Sequence, residues 1–380
     1  MNTSYRICSR CVMDTSDPDI SFDRDGVCNH CRKFDAVTRH HWYPGPEGEE
    51  RWKGIVARIR DEGRHKEYDC IMGLSGGADS SYLAYKSKEW GLRPLVVHVD
   101  AGWNSELAVA NIEKIVKHGG FDLHTHVVDW EEMRDLQLAY LKAGVANQDV
   151  PQDHVFFASL YHFATSNDIR YILSGGNIAT ESIFPDAWEG AAMDAINLKA
   201  IHRRYGSMPL KSFSTISFFD CYVWYPFVKK MRTVRPLNYM PYDKAAAIKE
   251  MEEQIGWRAY GRKHGESLFT RLFQNYYLPA KFGFDKRRPH LSSLIMAGQM
   301  TREAALAELE EPLYDAQELD KDISYFCKKL GITVDEFDDY VRGPLRHYSE
   351  FPNWDSRYRL LKRAQETVES LLGRRVNVYS

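Results

Sequence analysis

The 380-residue chain contains no run of eighteen apolar residues, and its opening MNTSYRICSRC has neither a basic stretch nor an apolar one behind it. A membrane span and an export signal are therefore not expected, no membrane partner is anticipated, and a cytoplasmic location is the expectation. Glycine (25) and proline (15) are too few for a fibrous repeat or a long disordered tract, especially beside 44% hydrophobic residues. A basic excess is also missing. Lys+Arg (50) and Asp+Glu (53) nearly cancel, for a net charge of -3, so a dedicated nucleic-acid surface is not expected. Cysteine is scarce beyond the first 31 residues, where only Cys70, Cys221 and Cys327 occur.

The chain that remains is long enough for two or three packed units. HHWYPGPEGEER gathers proline, glycine and charge into a linker, which sets a head of residues 1–48 apart. From Trp52 the pattern alternates. Apolar runs at 69–74 (DCIMGL), 93–100 (RPLVVHVD), 123–129 (LHTHVVD) and 170–177 (RYILSGGN) are separated by stretches of helical period. Strands alternating with helices imply an α/β fold with a doubly wound parallel sheet over residues 52–240, which binds ligands at the carboxyl ends of its strands. From about Tyr242 onward KAAAIKEMEEQIG, TREAALAELEEP and DISYFCKKLG predict a mostly helical region over residues 241–380.

Cys8-x2-Cys11 and Cys28-x2-Cys31, sixteen residues apart, have the spacing of a four-thiolate zinc site. So short a segment has no core of its own, so Zn²⁺ would supply its folding free energy. Four thiolates close the tetrahedron, which makes the ion structural. His30 is read as a bystander, and the head as zinc-ribbon-like.

Ser75-Gly76-Gly77-Ala78-Asp79-Ser80-Ser81 follows an apolar strand and opens a helix. Glycines that let amides turn inward, serine hydroxyls and a helix N-terminus are the parts of a phosphate cradle. The GxxxxGK[ST] lysine is lacking, which excludes the Walker arrangement. SGGADS in this setting resembles the PP-loop of ATP pyrophosphatases, the adenine nucleotide alpha hydrolase superfamily with its HUP-like fold. That resemblance implies ATP cleaved to AMP and pyrophosphate, with Ser75, Gly76, Gly77, Ser80 and Ser81 around the phosphates and Asp79 holding Mg²⁺. It also places the adenosine near His98 and Asp100 at the end of one strand, with capping of the following turn an equal alternative for Asp100, and assigns Gly175 and Gly176, in Ser174-Gly175-Gly176-Asn177, to a facing strand end.

The head, SGGADS and the segment GRKHGESLFTRLFQNYYLPAKFGFDKRRPHLSSLI (261–295) together resemble the N-acetyl sugar amidotransferases of bacterial surface-polysaccharide and lipopolysaccharide O-antigen biosynthesis. The resemblance implies that the acetamido group of a nucleotide-linked sugar becomes an acetamidino group. It also implies ammonia from a separate glutaminase partnered with a cyclase-like barrel protein, since nothing here resembles a glutaminase domain. In 261–288 the cations Arg262, Lys263, Arg271, Lys281, Lys286, Arg287 and Arg288 are interleaved with aromatics. As a group they are expected to meet phosphates, with Lys281 and Arg288 as catalytic contacts and Arg287 on the substrate. Asn177, Thr180 and Glu181 are expected at the substrate, with helix capping an equal alternative for Thr180. His154 to His162 reads as a helix with core and surface histidines, and Cys70 as buried packing. Two rivals stand beside the leading reading: a tRNA-thiolating or modifying enzyme of the same fold, and a non-catalytic zinc-ribbon adaptor that binds nucleotide.

Overall fold

The structure, a computed structural model, describes residues 5–372 apart from 189, 191 and 262–264. Five strands form one parallel sheet: β1 (Cys70–Gly73), β2 (Pro94–Asp100), β3 (Asp122–Val127), β4 (Tyr171–Leu173) and β5 (Arg232–Val234), in the order β3-β2-β1-β4-β5. The first helices are α1 (Asn29–Ala36), α2 (Pro46–Gly63), α3 (Ala78–Glu89), α4 (Glu106–Gly119), α5 (Trp130–Ala143), α6 (Val150–Ser166), α7 (Ile178–Glu181) and α8 (Ala195–Tyr205). The chain continues through α9 (Lys244–Ile255), α10 (Leu268–Leu272), α11 (Leu278–Phe282), α12 (Arg287–Met296), α13 (Arg302–Glu310), α14 (Ala316–Leu330), α15 (Val334–Arg342) and α16 (Asp355–Leu372).

The central strands are continuous apolar runs because both of their faces are covered. Ile71, Leu95, Val97, Val99 and Ile172 turn to one face and pack with Met133 and Leu136 of α5, Val155 of α6 and Leu198 of α8. Their alternating neighbours Cys70, Met72, Val96, Tyr171 and Leu173 turn to the other, against Ile59 of α2, Leu83 of α3, Ile112 of α4 and Met251 of α9. Cys70 is fully buried in that second layer, as its sequence setting implies. Helix α9, although it opens the mostly helical part of the sequence, thus completes a face of the sheet. Helices α10, α14 and α15 share a further core through Phe269, Leu272, Phe326, Leu330 and Phe337.

On α6, His154 is buried: its Nδ1 lies 3.0 Å from the Ala192 carbonyl, and the Ile216 N–H donates to its Nε2 at 3.3 Å. These partners require the neutral ring, and burial lowers its pKa to about 4. Because the unfolded ring titrates near 6.5, the unfolded chain binds more protons between these values. Stability from this site is thus complete above about pH 6.5 and declines by roughly 3 kcal/mol as the pH falls toward 4. Urea unfolding at pH 7 and pH 4.5 checks this. Wild type should lose more stability on acidification than His154→Gln, and equal losses would refute the assignment.

Candidate active site and metal centre

The strand order reverses between β1 and β4: the chain runs outward from β1 through β2 to β3, then returns to place β4 and β5 on the other side of β1. At such a switch point a crevice opens beyond the carboxyl ends of the strands. Both glycine pairs sit there, one after β1 and one after β4. Gly76 has φ +84°, a conformation that favours glycine, and its carbonyl accepts the Tyr260 hydroxyl at 2.8 Å. A Cβ on Gly175 would lie 3.0 Å from the Ser80 nitrogen, tighter than side chains ordinarily pack, so glycine eases the close approach of the β4 turn to the start of α3. Ser75 and Ser80 hydroxyls meet at 3.1 Å across the loop, and the Gly77 N–H donates to Ser75 Oγ at 3.3 Å. No side chain caps α3, and the one acidic residue of its first turn is Asp79, whose charge is engaged as described next.

Asp79, in the first turn of α3, is the hub of this crevice. Its Oδ1 accepts from Asn177 Nδ2 at 2.9 Å and from the Tyr242 hydroxyl at 2.8 Å, and its Oδ2 is 3.0 Å from Lys244 Nζ. Burial opposes ionisation of Asp79, but the Lys244 ammonium and these hydrogen bonds outweigh it and hold the carboxyl below the usual carboxylate range. Lys244 responds in kind: burial would lower it, while Asp79, then Glu181 and Glu266, raise it. Neither Tyr242 nor Lys244 was among the expected site residues. The one local signal was the helix start at Asp243, whose side chain caps α9 and fixes where Lys244 begins.

The other expected residues divide. Asn177 faces the site through Asp79, and its Oδ1 also caps α7 by accepting the Thr180 N–H at 3.0 Å. Thr180 is buried inside α7 and donates its hydroxyl to Asn177 at 3.2 Å; the cap expected of Thr180 is made by Asn177 instead. Glu181 is exposed, with a carboxylate oxygen 3.5 Å from where a Cβ on Gly176 would stand. Ser81 is fully buried and accepts from Trp257 Nε1 at 3.2 Å, so its hydroxyl is engaged in the core and not by the glycine loop. His98 lies beneath the loop: its Nδ1 is 2.8 Å from the Leu74 carbonyl and its Nε2 is 3.0 Å from Asn104 Nδ2. Asp100 accepts the Gly102 N–H at 2.8 Å and Asn104 Nδ2 at 3.2 Å, shaping the turn after β2.

In the head, Cys8, Cys11, Cys28 and Cys31 are completely buried, with their sulfurs within 4.8 Å of one another. The closest separations are 3.9 Å for Cys8–Cys31 and 3.7 Å for both Cys11–Cys28 and Cys28–Cys31. A tetrahedron with Zn–S near 2.3 Å requires sulfurs about 3.8 Å apart, so the donor set fits Zn²⁺. The N–H groups of Arg10, Cys11 and Cys28 point to Cys8 Sγ at 3.3–3.4 Å, donors suited to a thiolate. His30 is paired with Asp17 at 2.6 Å and takes no part in the cluster.

With the loop, its carboxylate hub and the cysteine centre in place, the helices that follow set the chain's relationships. Residues 266–365 match the family model of the LPS biosynthesis protein WbpG-like, C-terminal domain. A curated relative, tRNA(Ile)-lysidine synthase of Chlamydia pneumoniae, is 28% identical over 136 residues, which is 35% of this chain and 40% of that protein. The matched part is therefore less than half of that relative. Among solved structures, NMN synthetase from Francisella tularensis aligns with a TM-score of 0.33 and 12% identity, over 79% of this chain and 87% of that one. NAD+ synthetase from Burkholderia pseudomallei aligns with a TM-score of 0.29 and 18% identity, over 59% of this chain and 94% of that one.

The WbpG-like region gives its chosen cations partners other than the phosphates expected for them. Lys281 is buried and donates to the carbonyls of Tyr340, Val341 and Gly343 at 2.7–3.2 Å, satisfying the end of α15. Arg287 pairs with Asp285 and donates to the carbonyls of Glu308, Leu309 and Glu311 at the end of α13. Arg288 reaches the head: it pairs with buried Asp14 at 3.1 Å and donates to the Val12 carbonyl at 2.9 Å. Arg271 pairs with Asp322, while Arg262 and Lys263 lie outside the described residues. The cationic segment thus joins WbpG-like helices to one another and to the head, and Arg302 adds to this by donating to the Cys8 and Cys11 carbonyls.

Proposed function

We propose that the protein is an ATP-dependent amidotransferase that converts the acetamido group of a nucleotide-linked N-acetyl sugar to an acetamidino group. In this reading it acts in the cytoplasm in O-antigen synthesis, with ammonia delivered by a separate glutaminase and its cyclase-like barrel partner. The observation that carries the reading is the meeting of SGGADS and the second Gly-Gly turn at the switch point, beside Asp79 and Lys244. The WbpG-like match over residues 266–365 supports the choice of pathway.

An amide carbon is a poor electrophile, so its oxygen attacks the α-phosphorus of ATP. The new O–P bond replaces the bond to pyrophosphate, which departs. Ammonia then adds to the imidate carbon, the C–O bond to AMP breaks, and a proton is lost from nitrogen. No protein nucleophile is required; the enzyme positions the reactants and stabilises phosphate charge. Ser75, Gly76, Gly77, Ser80 and the start of α3 cradle the phosphates, Glu181 stands beside the crevice for the sugar, and Lys244 supplies a cation. Asp79 would hold Mg²⁺, which would neutralise charge on the phosphates, and Lys244, now paired with Asp79, would add a second positive charge there. The four head cysteines would hold Zn²⁺ in a closed structural site.

A second reading, tRNA modification, rests on the similarity to a tRNA(Ile)-lysidine synthase. Its thiolating form needs a reactive cysteine, yet burial pushes the Cys221 thiol up to about 12 and that of Cys327 up to about 11. Labelling the acetamido oxygen of a UDP-linked diacetamido sugar with ¹⁸O separates the pathways. The proposed reaction carries the label into AMP; unlabelled AMP formed alongside product would reject adenylation at that oxygen.

A further inference from the structure

Four large apolar side chains stand in water within ten residues of one another: Phe219 is 56% exposed, Trp224 37%, Phe227 55% and Val228 51%. They belong to the wide helical segment Asp220–Val228 and the residue before it, where the Lys229 N–H bonds back five residues to the Trp224 carbonyl at 2.9 Å. In such winding, residues four or five apart share a side. Phe219, Trp224 and Val228 therefore form an outward stripe flanked by Phe227, while Tyr225 turns inward and stacks on Tyr161 at 4.6 Å.

At Phe219 the stripe joins a cleft of about 400 Å³ with Ile196, Phe218 and Pro352 in its apolar floor and Lys199, Arg203 and Arg357 around it. Lys229 and Lys230 follow the stripe directly, with Lys229 Nζ 5.9 Å from the Trp224 ring. Among the described residues, Lys199, Arg203, Lys230 and Arg357 have no ion-pair partner. The nearby Asp220 carboxylate is engaged by the amide and hydroxyl of Ser217.

An apolar patch this concentrated marks an interaction surface. Protein interfaces are depleted in lysine, whereas segments that lie on membranes pair Trp and Phe with Lys and Arg. Exposed rings beside unpaired cations match the two layers of an anionic bilayer, acyl boundary and phosphate. We propose that this face docks the protein on an anionic lipid bilayer, with Phe219, Trp224 and Phe227 at the acyl boundary and Lys199, Arg203, Lys230 and Arg357 on lipid phosphates. The contact is peripheral, because no helix among the described residues is long and apolar enough to cross a membrane. It qualifies the expectation of no membrane partner, which rested on spanning segments.

Flotation with vesicles of phosphatidylglycerol and phosphatidylcholine tests the proposal. The full-length protein should float with them at low salt, less at high salt, and stay in solution with phosphatidylcholine alone. Phe219→Ser/Trp224→Ser/Phe227→Ser, and separately Arg203→Glu/Lys230→Glu, should each weaken partitioning at least about tenfold. Both variants should keep the wild-type melting temperature and wild-type pyrophosphate release in solution, since none of these residues belongs to the crevice. Wild type that ignores phosphatidylglycerol vesicles, or folded variants that float as wild type does, would overturn the proposal. So would a protein partner lost with the same substitutions when no vesicle binding is seen.

Discussion

Asp79→Asn is expected to lower pyrophosphate release by on the order of 10²–10³-fold while leaving a folded protein. The amide can keep the Tyr242 hydrogen bond to Oδ1, but it removes the charge that holds Lys244 and would receive Mg²⁺. Stability should fall by only about 1–3 kcal/mol, because both side chains of the pair are partly open, at 21% and 28% exposure, and water screens the remaining ammonium. Lys244→Ala separates the two charges. If Lys244 moves from Asp79 to phosphate, this variant loses turnover as well, and Lys244→Arg restores part of it. Pyrophosphate release and melting temperature measured on all three variants decide the matter. Full activity in Asp79→Asn would remove this residue from the site, and full activity in Lys244→Ala would leave the lysine a structural counter-ion.

Removing the metal should have the second large effect. Beside the four thiols gathered around one point, the head buries only Val12, Met13 and Phe34 among its described apolar side chains, and Ile178, Ile183, Trp188 and Met296 complete the thiols' cluster from outside it. Its folding is therefore tied to the ion, and structural zinc in comparable small sites contributes roughly 10–16 kcal/mol. Elemental analysis should find one zinc per chain, and Cys11→Ser should lose it. The damage should spread, because Arg302 grips the Cys8 and Cys11 carbonyls and Arg288 pairs with Asp14. When the head unfolds, α12 and α13 lose those partners. Limited proteolysis of Cys11→Ser should cut within residues 5–45 first and then reach the α12–α13 region. A metal-free protein as protease-resistant as wild type would contradict the assignment.

The sheet was legible because strands buried on both faces must be apolar throughout, and DCIMGL and RPLVVHVD leave no other reading. Strand β5 was not, since three residues of Arg-Thr-Val carry too little pattern to stand out. The glycine pairs and the cysteines were legible because glycine at a close approach and paired thiols are chemically specific choices. Lys244 was hidden by distance: it meets Asp79 from 165 residues away, and an isolated lysine at a helix start looks like any solvated one. Lys281, Arg287 and Arg288 show the opposite failure. A cationic, aromatic-rich segment suits phosphates, but carbonyls at a helix end carry partial negative charge and accept the same donors. Charge and composition do not distinguish the two acceptors; only the packing of α13 and α15 against α11 and α12 does.

The central claim is that oxygen on an acetamido group is exchanged for nitrogen at the expense of ATP. The most direct measurement incubates the protein with ATP, Mg²⁺, an ammonium salt and a panel of UDP-linked diacetamido sugars, and reads each sugar by mass spectrometry. The account predicts a product one mass unit lighter than its substrate, with one AMP and one pyrophosphate formed for each. AMP and pyrophosphate formed with every sugar unchanged, or a modified tRNA in their place, would contradict it.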